Sequence, residues 1–438
     1  MDIARKSGSR AGKTTVLRDR QLDEEVFRRV FPSGLTVYVV RKPEFTRSYA
    51  TIATRYGSVD TRLRTDGRAR PLPDGIAHFL EHKVFETPEG DAFDLFAARG
   101  ASANAFTSFT STRYLFGTSE NYADNLRTLL DFVFDLHVTD ENVEKEKGII
   151  GQEIAMYDDD PEWRIYFGAL AAMYARHPVR IDIAGTRKTI ARITPALLRD
   201  VHRAYYHPRI MALAAVSPEP VEVTFAAVEE RVERRRFGPP PGPRGPLPSE
   251  ARRARKREVT VRLPVHRPRV ILAFKDATPP RDPREQLRLE ISSGVALDCL
   301  FGNSGSIFLR LYEAGLVDDS FSGSYTAEGS FAFAMAGGET DDARKLRVAL
   351  EREIEAALGR GITREEFERT RNKALGGYAR GFNSPERIAQ MLVNHHLRGT
   401  TVKDFREILF ELTAGGVNRR MKAMLDPSSR CYSVVLPK

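Results

Sequence analysis

Cysteine is scarce in this chain: its 438 residues include only Cys299 and Cys431. One lies in an apolar segment and the other near the C-terminus. Neither a disulfide framework nor a cysteine-built zinc site can be made from them, which fits a reducing compartment. Long apolar runs are also missing, and none approaches the roughly 20 residues a membrane-spanning helix needs. The opening MDIARKSGSRAGKTTVLRDRQ is basic, but no apolar stretch follows it, which argues against an ordinary secretory signal. Its Ser, Thr and basic residues give it some transit-peptide character, whereas Asp2 and the nearby LDEE oppose that reading. These features lead us to expect a cytoplasmic protein with no membrane association.

The formal net charge is +9, and an Arg-rich surface attracts anions. Charges of both signs are nevertheless interspersed through most of the chain, so solvated and locally balanced faces are expected. No nucleic-acid-binding motif is present, and no nucleic-acid partner is expected. The length exceeds one ordinary core and points to two or more domains.

The clearest boundary is RVERRRFGPPPGPRGPLPSEARRARKRE, residues 231–258. Dense in Pro, Gly and Arg, it reads as a stiff, exposed connector. The expected organisation is a domain over 1–230, a linker over 231–258 and a second domain over 259–438. Each half opens with strand-like sequence: LTVYVV (35–40) and YATIATRYG (49–57), then EVTVRLPV (258–265) and RVILAFKDA (269–277). Helical stripes follow, with Leu126, Leu129, Leu130 and Val133 in 119–137. In 341–361 the stripe is Leu346, Leu350, Ile354 and Ala357. Both halves run helix, helix, then paired strands, which suggests an imperfect internal repeat. In that alignment His78, Glu81 and His82 fall opposite Val295, Asp298 and Cys299. The second half would keep the shape of the first without its chemistry.

The chemistry concentrates in PDGIAHFLEHKVFETPEG, residues 73–90. Read as a helix opening at Pro73–Gly75, it places His78 and His82 four residues apart on one face, with Glu81 beside them. Two same-face imidazoles are a natural pair of zinc ligands. The flanking Ile76, Ala77, Phe79, Leu80, Val84 and Phe85 would draw this polar trio inward, where a cation would satisfy it. A catalytic zinc takes a third protein ligand and keeps one position open. TDENVEKEKGIIGQEIAMYDDDP, residues 139–161, offers Glu146, Ile149, Ile150 and Glu153 on one helical face expected to be buried. Thr139 suits the cap, and Pro161 marks the stop.

With these residues the chain resembles the M16 family of zinc metallopeptidases, the inverzincin or pitrilysin family. The inverted His-x-x-Glu-His motif is followed by glutamates in E-x(6)-E spacing. Here His82 to Glu153 is 153 − 82 = 71 residues, and Glu146 to Glu153 is 153 − 146 = 7. GASANAFTSFTSTRYLF (100–116), YARHPVRIDIAGT (174–186) and VHRAYYHPRIMALAAV (201–216) also match family segments in order. The resemblance covers most of the chain and is to half-size bacterial members akin to mitochondrial processing peptidase beta.

The resemblance implies an α+β fold of two related α/β halves, the LuxS/MPP-like metallohydrolase fold. It also implies a zinc endopeptidase working on peptides or leader segments in a closed chamber. Zinc would be held by His78, His82 and Glu153, with Glu81 as general base on the metal's water and Glu146 as a supporting acid. The strand near Asn104 and Ala105 would pair with an extended peptide. The family's second half presents Arg and Tyr as R-x(6)-Y. Arg310 stands at the Arg place, but seven residues on is Val317. This departure points to a sister subunit supplying the Arg–Tyr pair in a heterodimer, with a homodimer of altered activity as the alternative. The rival reading is a non-catalytic, structural subunit of a larger complex.

Overall fold

The computed structural model describes residues 12–19, 24–65, 68–240, 242, 247–248 and 250–438. The start of the N-terminal basic stretch and much of the Pro-rich run of the connector lie outside the described residues. The chain forms two compact units; one boundary between them falls within the expected connector 231–258, but segments from each side of it also belong to the other unit. The first gathers residues up to Ile154, 182–245 and 379–402. The second gathers 155–181, 246–378 and 403–438. The reason is packing rather than chain order. The amphipathic helix Pro385–Arg398 buries Ile388, Ala389, Leu392 and Val393, and it packs on the sheet of the first unit.

In the first unit, the strands are β1 (Thr15–Asp19), β2 (Glu24–Val30), β3 (Thr36–Arg41) and β4 (Ser48–Thr54). They are joined by β5 (Ala101–Thr107), β6 (Thr112–Thr118) and β7 (Met211–Ser217) in the order β1-β2-β3-β7-β4-β6-β5. Only β3 and β7 pair in parallel; the other neighbours are antiparallel. β4 and β7 are buried at every position, as central strands covered on both faces must be. Helices α1 (Ile76–Val84), α2 (Ala92–Ala97) and α3 (Tyr122–Phe134) pack on this sheet or on each other. The stripe predicted on α3 is fully buried. Helix α4 (Asp140–Asp159) follows it.

The second unit takes the end of α4 and then α5 (Pro161–Met173), and holds β8 (Glu258–Leu263), β9 (Arg269–Lys275), β10 (Ser322–Glu328), β11 (Phe331–Glu339) and β12 (Arg430–Pro437). Their order is β8-β12-β9-β11-β10, with β8 and β12 parallel and the rest antiparallel. This reproduces the run β3-β7-β4-β6-β5, direction for direction. Helices α6 (Pro283–Phe301) and α7 (Ser306–Glu313) occupy the same place in chain order as α1 and α2, and α8 (Ala343–Arg360) follows the sheet pair as α3 does. The internal repeat is thus visible in topology. The fold is α+β, with two related halves.

The connector differs from a freely exposed spacer once it reaches Glu250. The Glu250 carboxylate accepts hydrogen bonds from the N–H groups of Arg176 (2.5 Å) and His177 (2.6 Å), and from Lys275 Nζ (2.7 Å). The Lys256 and Arg255 N–H groups donate to the carbonyls of Ala172 and Met173 at the end of α5. Backbone polar groups at a helix end need such partners, so this polar stretch docks despite having almost no apolar side chains.

Candidate metal centre

Helix α1 forms because its apolar residues have somewhere to go. Ile76, Phe79, Leu80 and Val84 are buried, each worth about 1.5–3 kcal/mol on leaving water. Its start is set by backbone rather than by a side-chain cap. Gly75 sits at φ +91°, and a Cβ there would meet the Ala184 carbonyl at 2.4 Å. Gly185, at φ +73°, makes the reciprocal close approach to the Asp74 carbonyl. Only glycine fits these two positions, and together they fix α1 against the 182–186 turn. His82 and Lys83 fall in the last turn, where the helix dipole favours positive charge.

Helix α4 is capped reciprocally: Asn142 N–H donates to Thr139 Oγ1 (3.1 Å) and Thr139 N–H to Asn142 Oδ1 (2.8 Å). It ends just before Pro161. The expected burial of the whole Glu146–Ile149–Ile150–Glu153 face needs correction. Ile150 is buried, but Ile149 is 45% exposed. The buried stripe runs through Val143, Glu146, Ile150, Gly151 and Ile154, so Ile149 lies past its edge.

His78, His82 and Glu153 converge, each offering a ligand atom within 4.8 Å of the others. His78 Nε2 lies 3.5 Å from Glu153 Oε1, and His82 Nε2 lies 3.6 Å from Glu153 Oε2. These are long for hydrogen bonds. They are close to the ~3.3 Å separating two donors that each stand about 2 Å from one tetrahedral ion. The side chains keep 12%, 28% and 19% exposure, so the trio is reachable from solvent. Burial lowers the His78 pKa to about 4, with His82 adding to the effect, so His78 is neutral at pH 7 and has a lone pair to give. Its Nδ1 is buried without a hydrogen-bond partner. Donor chemistry and spacing fit a zinc ion, as does the neutrality of His78.

Three further side chains frame this trio. Glu146, nearly buried, accepts a hydrogen bond at Oε1 from His82 Nδ1 (3.0 Å). That bond turns the other ring nitrogen of His82 towards Glu153. Burial opposes charge on both partners. Their hydrogen bond and mutual attraction outweigh it, raising the His82 pKa and lowering that of Glu146. Glu81, also buried, accepts from Thr107 Oγ1 at 2.5 Å. Burial lifts the Glu81 pKa to about 7, against the lowering effect of the Thr107 hydrogen bond. Thr107 ends β5, and its hydroxyl also lies 3.4 Å from Thr112 Oγ1 on β6. Sequence reasoning missed Thr107 and the fully buried Lys83. Thr107 lies within the quoted β5 segment, and strand alternation from Asn104 puts it on the opposite face.

The sheet order leaves β5 at its end, with β6 as its neighbour. Asn104 is exposed, and its Oδ1 accepts from the Ala105 N–H (2.8 Å). Arg310, in the second unit, lies on α7 with its Nε donating to Glu353 Oε2 at 2.5 Å. Val317 is buried and Tyr312 is half-exposed. The Tyr325 hydroxyl is engaged with Asp276 (2.7 Å) and Arg420 (3.2 Å).

A family model described as insulinase, peptidase family M16, matches residues 69–187, and one described as peptidase M16 inactive domain matches 192–374. YmfH of Bacillus subtilis, named an uncharacterized zinc protease, is 39% identical over 420 residues, covering 95% of this chain and 98% of YmfH. The chain belongs to peptidase family M16. Among solved M16 structures, an M16-like peptidase of Alicyclobacillus acidocaldarius is 36% identical with a TM-score of 0.91. The match covers 95% of this chain and 99% of that one. Pitrilysin shares the fold at 18% identity and TM-score 0.75; 98% of this chain aligns with 47% of pitrilysin. Among the described residues, no helix is long and apolar enough to cross a membrane.

Proposed function

We propose that this M16 chain is a zinc-dependent endopeptidase that cleaves peptides or leader segments, working as the catalytic subunit of a heterodimer. The convergence of His78, His82 and Glu153, with the Glu81 carboxylate beside them, carries this reading. These three residues would hold the ion, which would supply Lewis acidity and bring the pKa of a water towards neutrality. Glu81 takes and returns the proton, steadied by Thr107. Glu146 holds the His82 ring in register. The exposed edge of β5 suits an extended peptide that adds as a further strand. Asn104 Oδ1 now engages the Ala105 N–H, and it would yield that donor to the peptide.

Val317 in the family's Tyr place supports a second subunit as the source of an Arg–Tyr pair. Such donors stabilise charge on a cleaved carbonyl. The same departure, with the description "inactive domain" over 192–374, favours the rival reading of a structural subunit. The test is zinc analysis and peptide cleavage, on the chain alone and with a sister M16 subunit. Zinc bound, with cleavage appearing when the sister is added, is the expected result. Glu81→Gln should keep zinc and lose turnover. Zinc bound without cleavage in any pairing would favour the structural reading, and normal cleavage by Glu81→Gln would remove Glu81 from its role.

A further inference from the structure

Lysine is seldom fully buried unless it is paired, yet the Lys83 side chain is 0% exposed, one residue after His82. Three oxygens receive its ammonium. Glu86 Oε1 lies at 2.5 Å, the Asn142 carbonyl at 3.2 Å and Glu146 Oε2 at 3.7 Å. Glu146 divides its two oxygens, with Oε2 towards Lys83 and Oε1 on His82 Nδ1 at 3.0 Å. Asn142 and Glu146 both belong to α4, whereas Lys83 and His82 belong to α1. The ammonium therefore ties together the two helices that bring the candidate ligands to one point.

We infer that Lys83 is a positioning residue: it holds the Glu146 carboxylate in place so that this carboxylate fixes the tautomer and ring orientation of His82. The inference rests on the zinc-site reading above. Lys83 touches none of His78, His82 or Glu153 through its ammonium; it acts through Glu146. A carboxylate that accepts from a ligand imidazole is worth tenfold to a hundredfold in metal affinity. If Lys83 secures that carboxylate, its loss should carry a similar effect, expressed only while Glu146 is present.

The experiment uses the full chain and a double-mutant cycle in zinc affinity, measured by competition with a chelator. Lys83→Met should weaken zinc binding about 10- to 100-fold, and so should Glu146→Gln. The double variant should bind no worse than Glu146→Gln alone, because the route from Lys83 to the ion is already cut. Lys83→Gln, which retains a donor in the same space without the charge, should also lose affinity and guards against a misfolded Met variant. A variant-free reading comes from nitrogen chemical shifts of His82 in the zinc-free chain at a pH where its ring is neutral, expected to show the proton on Nδ1 and not on Nε2. Lys83→Met and Lys83→Gln with wild-type affinity, additive losses in the cycle, or a neutral His82 with its proton on Nε2 instead of Nδ1 would each overturn the inference. A wild-type chain that binds no zinc would instead overturn the reading beneath it, and the His82 tautomer would still report on the Lys83–Glu146 arrangement.

Discussion

Removing the Thr107 hydroxyl tests the proposed base without touching a proposed ligand. Thr107→Val keeps the shape and β-branching suited to the end of β5 while deleting the donor 2.5 Å from Glu81 Oε2. A hydrogen bond to a charged group is worth about 1.5–3 kcal/mol, and about 1.4 kcal/mol is tenfold in rate. The peptidase kcat/KM should therefore fall roughly 10- to 150-fold. Zinc content should not change, since Thr107 is not among the converging donors. Thr107→Ser, which restores the hydroxyl, should recover most of the loss. The pH profile adds an independent sign. Burial already raises the Glu81 pKa, and the Thr107 hydrogen bond opposes that rise. A base must be deprotonated to work, so activity falls as pH drops through its pKa. Without the hydroxyl that acid limb should move to higher pH. A Thr107→Val enzyme with wild-type kcat/KM and an unmoved acid limb would refute the reasoning, as would an equal loss imposed on Glu81→Gln.

The remaining predictions concern the metal and the second unit. Glu153→Gln should lower bound zinc from about one per chain to a small fraction, by metal analysis, because a neutral amide replaces the carboxylate that faces both imidazoles; full zinc occupancy would remove Glu153 as a ligand. Glu250→Gln should destabilise the chain by about 1.5–3 kcal/mol in urea unfolding at pH 7. Burial disfavours the Glu250 charge, but Lys275 and the N–H groups of Arg176, His177 and Ala175 outweigh it and bring its pKa to about 2. A depressed carboxylate stabilises above the ordinary pKa of 4.5 and loses that contribution as pH falls towards about 2. The gap between wild type and variant should accordingly close across that window, and a pH-independent gap would show that the charge is not its source.

Much of the candidate site was legible because it obeys helical periodicity. His78 and His82 at i, i+4, and the apolar residues around them, specify both a helix and its inward face. The stripes on α3 and α8 were legible for the same reason. Ile149 was misassigned because an eight-residue span of one face cannot say where the buried stripe ends; Ile154 and Val143 take that role. β1 and β2, with TVLRD and EEVFRRV, carry too many charges to stand out as strands and are only half-buried. The placement of 379–402 was not legible at all. Its amphipathic pattern announces a buried face, but the partners that select the first sheet lie hundreds of residues away. Among these are Arg113 to Gln390 (2.7 Å) and Tyr38 to His396 (3.1 Å). Lys83 was missed because a lysine ordinarily reads as solvated; Glu86 beside it, together with Glu146 and the Asn142 carbonyl from α4, makes its burial tolerable.

The duplicated topology shows what separates a site from a scaffold. In the second unit Val295 and Cys299 stand where the repeat places His78 and His82, and both are buried in one apolar cluster with Leu300, Phe301 and Leu311. Asp298, opposite Glu81, forms an ion pair with Lys373 at 2.7 Å. Apolar side chains at the two histidine places remove any need for a cation, and the remaining acid is neutralised by a lysine. In the first unit the same helix position carries imidazoles beside Glu81, Glu146 and Glu153; Glu81 is met by Thr107, and Glu146 by His82 and Lys83. His78 Nδ1 stays without a partner there. Buried polar groups are retained at a cost to stability unless something meets them. The asymmetry between two otherwise matching frameworks is therefore an argument for placing the proposed chemistry in the first unit.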